Sequence, residues 1–178
     1  GIEDVAAETA PRLHEVVMAA DGAGRALFAA NRDLPVPDDP VEALWQAATA
    51  LREHRGDGHV AVLTAEGLDG VEANVLAAAV GSGTAQWLRE SRGWSQEEWD
   101  AAVAALTERG LLANGDPTEE GRALKARIEQ RTDELAAPPY DVLESPRSVY
   151  EALVPAARAV SKELPFPNPI GVPPVESS

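Results

Sequence analysis

Four side chains with acid–base, anion-binding or metal-ligating capability crowd into six positions: His54, Arg55, Asp57 and His59. Gly56 and Gly58 lie between them, and glycine permits both close approach of a ligand to the backbone and dihedrals closed to other residues. Three readings of this segment compete. In the first it is a helix C-terminus, with His54 and Arg55 complementing the dipole and Gly56 as the left-handed cap. In the second it holds a small anionic or polar ligand: Arg55 and the imidazoles donate, Asp57 orients one ring, and Trp45 contributes a wall. In the third, His54, Asp57 and His59 ligate zinc or perform acid–base catalysis. The spacing matches no strong metal motif and no nucleophile is marked nearby, so no metal ligand, catalytic residue or cofactor is assigned. The embedded Arg-Gly-Asp tripeptide is common by chance and carries no weight.

Composition narrows what such a site could serve. The chain has 178 residues and a formal net charge of −15. Nucleic acid and anionic membranes attract basic surfaces, so only a local cationic patch would bring this chain to either. There is no cysteine, which excludes disulfides and thiolate chemistry. The longest apolar runs, such as 75–80, are too short to span a bilayer, and the acidic opening is unlike a secretory signal. A cytoplasmic location without membrane association is the expectation. Aromatic residues are few, so alanine, leucine and valine must supply the core, and the four tryptophans bury more than their share.

The elements that must position the cluster are helical. Residues 4–20 form a helix with Leu13, Val16, Val17 and Ala20 on one face, and a short helix covers 25–29. A stiff connector, 33–40, ends with Asp39 as N-cap and Pro40 at the first helical position. Leu44, Trp45, Ala48 and Leu51 follow at helical spacing, Trp45 in the core. The glycines of 54–59 should interrupt that helix, which resumes for a turn or two at 60–63. Asp69 and Glu72 form an acidic capping box for 70–80, and 84–90 carries Trp87 and Leu88. Ser95 with Glu98 is a second capping box, flanked by Trp94 and Trp99 in hydrophobic-staple positions. Asn114-Gly115 is a hairpin turn. Thr118 caps a long helix, 119–136, with Leu124, Ile128 and Leu135 inward. Ser145-Pro146 opens a last helix, and 165–174 is a proline-rich arm.

The order over 70–136 resembles the winged-helix unit of MarR-type transcription regulators. The resemblance is carried by Leu106-Thr107-Glu108-Arg109-Gly110-Leu111-Leu112 and Thr118-Glu119-Glu120-Gly121-Arg122-Ala123-Leu124. It implies a mainly α fold, a helical bundle containing a winged helix-turn-helix with a short β-hairpin wing. The second helix of that motif would enter a major groove. Three segments follow from it: 1–40, N-terminal helices and connector; 41–136, the winged-helix core; 137–178, a C-terminal helix and proline-rich arm. The stretches LFAANRDLPVPDDPVEALWQAATALREHRGDGHVAVL, RGWSQEEWDAAV and PNPIG are similar to an actinobacterial helix-turn-helix family of undefined function. That likeness implies a C-terminal portion of a longer protein, with a missing N-terminal region or protein partner completing its surfaces. Gln46 departs from the family's pattern, which has His there.

The groove-entering helix opens Ser95-Gln96-Glu97-Glu98-Trp99-Asp100. Duplex readers need donors at such positions. Here Ser95 and Gln96 qualify, whereas Glu97, Glu98 and Asp100 would meet phosphates with like charge. Arg89, Arg92 and Arg109 sit on different helices, and the wing offers no cation. Three function classes follow. One is a non-enzymatic ligand- or partner-binding protein that has lost DNA binding at its winged helix. The second is a DNA-binding regulator using Ser95, Gln96, Arg89 and Arg92. The third is an enzyme or metal site at 54–59.

Overall fold

The computed structural model describes residues 1–164. The proline-rich segment 165–174 lies outside the described residues. Within them the chain is mainly helical, with one two-stranded antiparallel sheet, as the resemblance implies. No helix among the described residues is long and apolar enough to cross a membrane. The chain divides into two compact units, Gly1–Val60 with Thr132–Leu164, and Ala61–Arg131.

The first unit holds α1 (Ile2–Ala19), α2 (Ala26–Arg32), residues 40–60 of α3 (Pro40–Ala65), and residues 132–136 of α7 (Glu119–Ala136). A 3-10 turn, Pro138–Val142, and α8 (Pro146–Ser161) complete it. Its core gathers Leu13, Val16 and Val17 from α1, Phe28 from α2, Ala47, Ala50 and Leu51 from α3, and Val149 from α8. Asp39 begins α3 as its composition demands: its carboxylate accepts the N–H groups of Val41 and Glu42 at 2.9 and 3.0 Å, satisfying donors that the first turn leaves open. Ser145 likewise caps α8 by accepting the Ser148 N–H. Arg12 of α1 then fixes that end, donating to the Ser145 carbonyl and the Ser148 hydroxyl.

Two expectations for this unit are corrected. The glycines at 56 and 58 do not interrupt the helix, and Gly56 is no left-handed cap: α3 is continuous from Pro40 to Ala65. A glycine inside a helix costs only about 1 kcal/mol, and Gly58 leaves room for the Arg25 guanidinium. Trp45, expected in the core, is 77% exposed, because the buried face runs through Ala47, Ala50, Leu51 and His54. Gln46 donates to the carbonyls of Leu34 and Pro35 and ties the connector to α3.

The second unit contains α4 (Gly70–Ala79), α5 (Ala85–Arg92), α6 (Gln96–Glu108), the strands β1 (Leu112–Ala113) and β2 (Asp116–Pro117), and residues 119–131 of α7. Both capping boxes form, Asp69 with Glu72 and Ser95 with Glu98. Asn114 and Gly115 take left-handed dihedrals, φ 53° and 87°; this mirror-image turn matches the twist of paired strands. Leu112 pairs with Pro117 and Ala113 with Asp116. Val75, Leu76, Trp99, Leu106, Leu124 and Ile128 form the core. Leu135, expected to face inward with Leu124 and Ile128, falls in the part of α7 that belongs to the first unit and is 43% exposed.

Candidate functional site

Along α3, His54 and Asp57 both meet Phe28 of α2, whereas Arg55 and His59 meet Asp133 and Thr132 of α7. His54 is 3% exposed and meets the Phe28 ring edge-on, with centroids 4.9 Å apart. Burial, and then the Arg25 guanidinium, hold its pKa below the ordinary imidazole value, since both disfavour the charged form. Asp57, one turn on, accepts the Phe28 backbone N–H at 2.9 Å. Arg55 brings both Nε and Nη2 to Oδ1 of Asp133, at 3.2 and 2.9 Å. His59 Nδ1 lies 3.0 Å from the hydroxyl of fully buried Thr132.

Arg25 organises this segment and is the residue that sequence reasoning missed. Its Nη2 donates to the Leu135 carbonyl at 3.0 Å, and its Nη1 donates to the His54 carbonyl. A side chain at Gly58 would stand 2.8 Å from that same Nη1. Gly58 is therefore the opening through which Arg25 reaches the backbone of α3. The only available signal was the second glycine itself, which a helix C-cap did not need.

His54 and Asp57 thus serve the packing of α2 on α3. Trp45 is nine residues before His54, roughly 13 Å along the axis, and the structure does not bring it to the cluster. Among the described residues no group of three or more His, Asp or Glu side chains is placed to hold a metal ion.

The helix-turn-helix is the other candidate. α5 ends at Gly93, whose φ of 75° is left-handed, and the Trp94 N–H donates back to the Arg89 carbonyl. This reversal turns the chain into α6 within three residues, the geometry that such motifs need. Trp99, Ala102 and Leu106 bury one side of α6, leaving Gln96, Glu97, Asp100, Ala101 and Ala104 exposed.

At its tip both donor side chains are occupied. The Ser95 hydroxyl donates to Glu98 Oε2 at 2.7 Å, and Gln96 Nε2 donates to Asp100 Oδ1 at 2.8 Å. The Ser95 N–H also donates to Glu98, whose own N–H is taken by Ser95 Oγ. These bonds hold the Glu98 pKa below the ordinary carboxylate value. The Ser95 N–H and hydroxyl and the Gln96 amide, donors that could greet a phosphate at a helix N-terminus, are met instead by the protein's own carboxylates.

The arginines differ in fate. Arg109 turns to the end of α3, donating to the carbonyls of Gly67 and Glu66 at 2.8 and 3.0 Å. Arg89 and Arg92, expected on different helices, both lie in the last turn of α5; Arg89 is within 3.8 Å of Glu90, and Arg92 is exposed. The unit 61–131 carries twelve Asp and Glu against seven Lys and Arg.

A short turn between α5 and α6, a buried stripe along α6 and a hairpin immediately after it define a helix-turn-helix protein with a wing. The chain belongs to a helix-turn-helix family, whose model matches residues 1–167. No curated protein and no solved structure matches it.

Proposed function

We propose that this chain is a non-enzymatic binding protein whose helix-turn-helix unit engages a protein partner and has lost the reading of duplex DNA. One observation carries the proposal: Ser95 and Gln96, the two residues suited to phosphates or base edges, are hydrogen-bonded to Glu98 and Asp100 of the same helix. Entry into a groove would require breaking those bonds while bringing Glu97 and Asp100 toward phosphates. Counterion release, which drives protein–DNA association, needs cations at the contact surface. The partner implied is one with a cationic surface, for which an acidic helix tip supplies steering and register.

The test is fluorescence anisotropy of labelled duplexes of random and A·T-rich sequence, titrated with the protein from low to physiological salt. The expected result is no saturable, salt-dependent binding. Nanomolar binding that weakens steeply with salt would overturn the proposal and restore a DNA-binding transcription regulator, with Arg89 and Arg92 as its cations.

A further inference from the structure

The first unit contains a cleft of about 530 Å³ that opens onto its core. Its walls are apolar, with Leu13 of α1, Leu51 of α3, Leu143, and Val149 and Leu153 of α8 among them. Four of these are core residues, between 4 and 8% exposed, so the hollow is an extension of the hydrophobic interior. The charged residues lining it are Arg52, Arg55 and Asp133. Arg52 and Arg55 stand one turn apart on the same helix, and their side chains are 65% and 45% exposed.

Two guanidiniums and one carboxylate line the rim, with a second carboxylate, Glu53, beside Arg52 outside the lining, in a chain where Asp and Glu outnumber Lys and Arg by 30 to 15. Arg55 spends two donors on a single oxygen of Asp133, and Arg52 pairs with its neighbour Glu53. The Arg55–Asp133 pair is on the surface, where such a pair contributes little, whereas Glu53 beside Arg52 is 18% exposed. The volume is that of small-molecule sites, which combine apolar walls with a few polar groups that fix orientation.

We propose that this cleft binds a small amphiphilic monocarboxylate, its hydrocarbon body against Leu13, Leu51, Val149 and Leu153 and its carboxylate at Arg52 and Arg55. Guanidinium suits that head group because it offers paired donors in the plane of a carboxylate. Of the side chains clustered at 54–59, Arg55 alone reaches the cleft. The proposal is independent of whether α6 reads DNA.

Isothermal titration calorimetry with sodium octanoate, sodium decanoate and 1-decanol tests it. Decanoate should bind about tenfold more tightly than octanoate, because each buried methylene multiplies affinity roughly three- to fourfold. It should also bind at least about tenfold more tightly than decanol, the margin set by the arginines. The double variant Arg52→Gln/Arg55→Gln, altered only at the exposed rim, should lose that preference and keep its decanol affinity. Leu153→Trp, which fills the hollow, should abolish binding of all three. No decanoate binding up to its solubility limit, equal affinity for acid and alcohol, or an unchanged preference in the arginine variant would each overturn the assignment. Should Leu153→Trp fail to give a native circular dichroism spectrum, the arginine variant and the chain-length series decide the matter alone.

Discussion

The carboxylate of Asp57, midway along α3, accepts the backbone N–H of Phe28 at 2.9 Å and so caps α2 from outside that helix. Arg25, at the N-cap position of α2, supplies no side-chain cap, and the N–H groups of a first helical turn have no partners within the helix. Asp57→Ala should cost about 1–2 kcal/mol of stability. Asp57→Asn keeps an acceptor oxygen and should cost clearly less. Urea denaturation of the two variants makes the comparison; equal losses would mean that charge, not capping, is what Asp57 contributes.

Gly121 offers a sharper case. It is buried in the first turn of α7, and a Cβ there would overlap the carbonyl oxygen of Leu111. That oxygen cannot withdraw freely, because it accepts the Thr118 N–H at 3.1 Å. Glycine to alanine in an ordinary helix interior gains about 1 kcal/mol. Gly121→Ala should instead lose about 1–3 kcal/mol, the usual cost of overpacking. A rise in thermal midpoint for this variant would contradict the close approach of α7 to Leu111.

His54 should make the protein acid-sensitive. Its folded pKa lies below the ordinary value of 6.5, through burial first and Arg25 second. Below about pH 6.5 the unfolded chain takes up a proton that the folded chain resists, so stability falls as pH drops. Above that value both states carry a neutral ring and the contribution is complete. Thermal midpoints measured between about pH 7 and pH 5 should decline less in His54→Gln than in the parent chain. Parallel declines would assign the acid sensitivity to other groups.

Much of the second unit was legible because its signals are local. Ser95 with Glu98, Asp69 with Glu72 and Asn114-Gly115 each act within four residues, and all three form as their chemistry demands. The first unit was harder to read because its deciding contacts are distant in sequence. Nothing near Gly58 announces that Arg25 will pass over it, and without that contact two glycines look like a helix end. Trp45 misled for a related reason: its size suggested a core position, whereas small alanines at 47 and 50 set the buried register of α3. The apolar cleft escaped notice entirely, since its walls come from four separate stretches of chain.

The charge at the tip of α6 can be reversed. Glu98 must stay, because it completes the capping box with Ser95, but Glu97 and Asp100 are exposed and buried in nothing. Glu97→Lys with Asp100→Lys replaces two negative charges by two positive ones and frees Gln96 from Asp100. Losing Glu97 from the first turn should cost about 0.3–1 kcal/mol in dipole interaction, small enough for the fold to survive. If charge is what keeps the unit off DNA, duplex binding should appear at low salt, with a log–log salt slope near −2 for two new phosphate contacts. Anisotropy with the same duplexes measures it. A variant that folds as before and still ignores DNA at low salt would show that the shape of the α5–α6 unit, not the charge of its tip, excludes the groove.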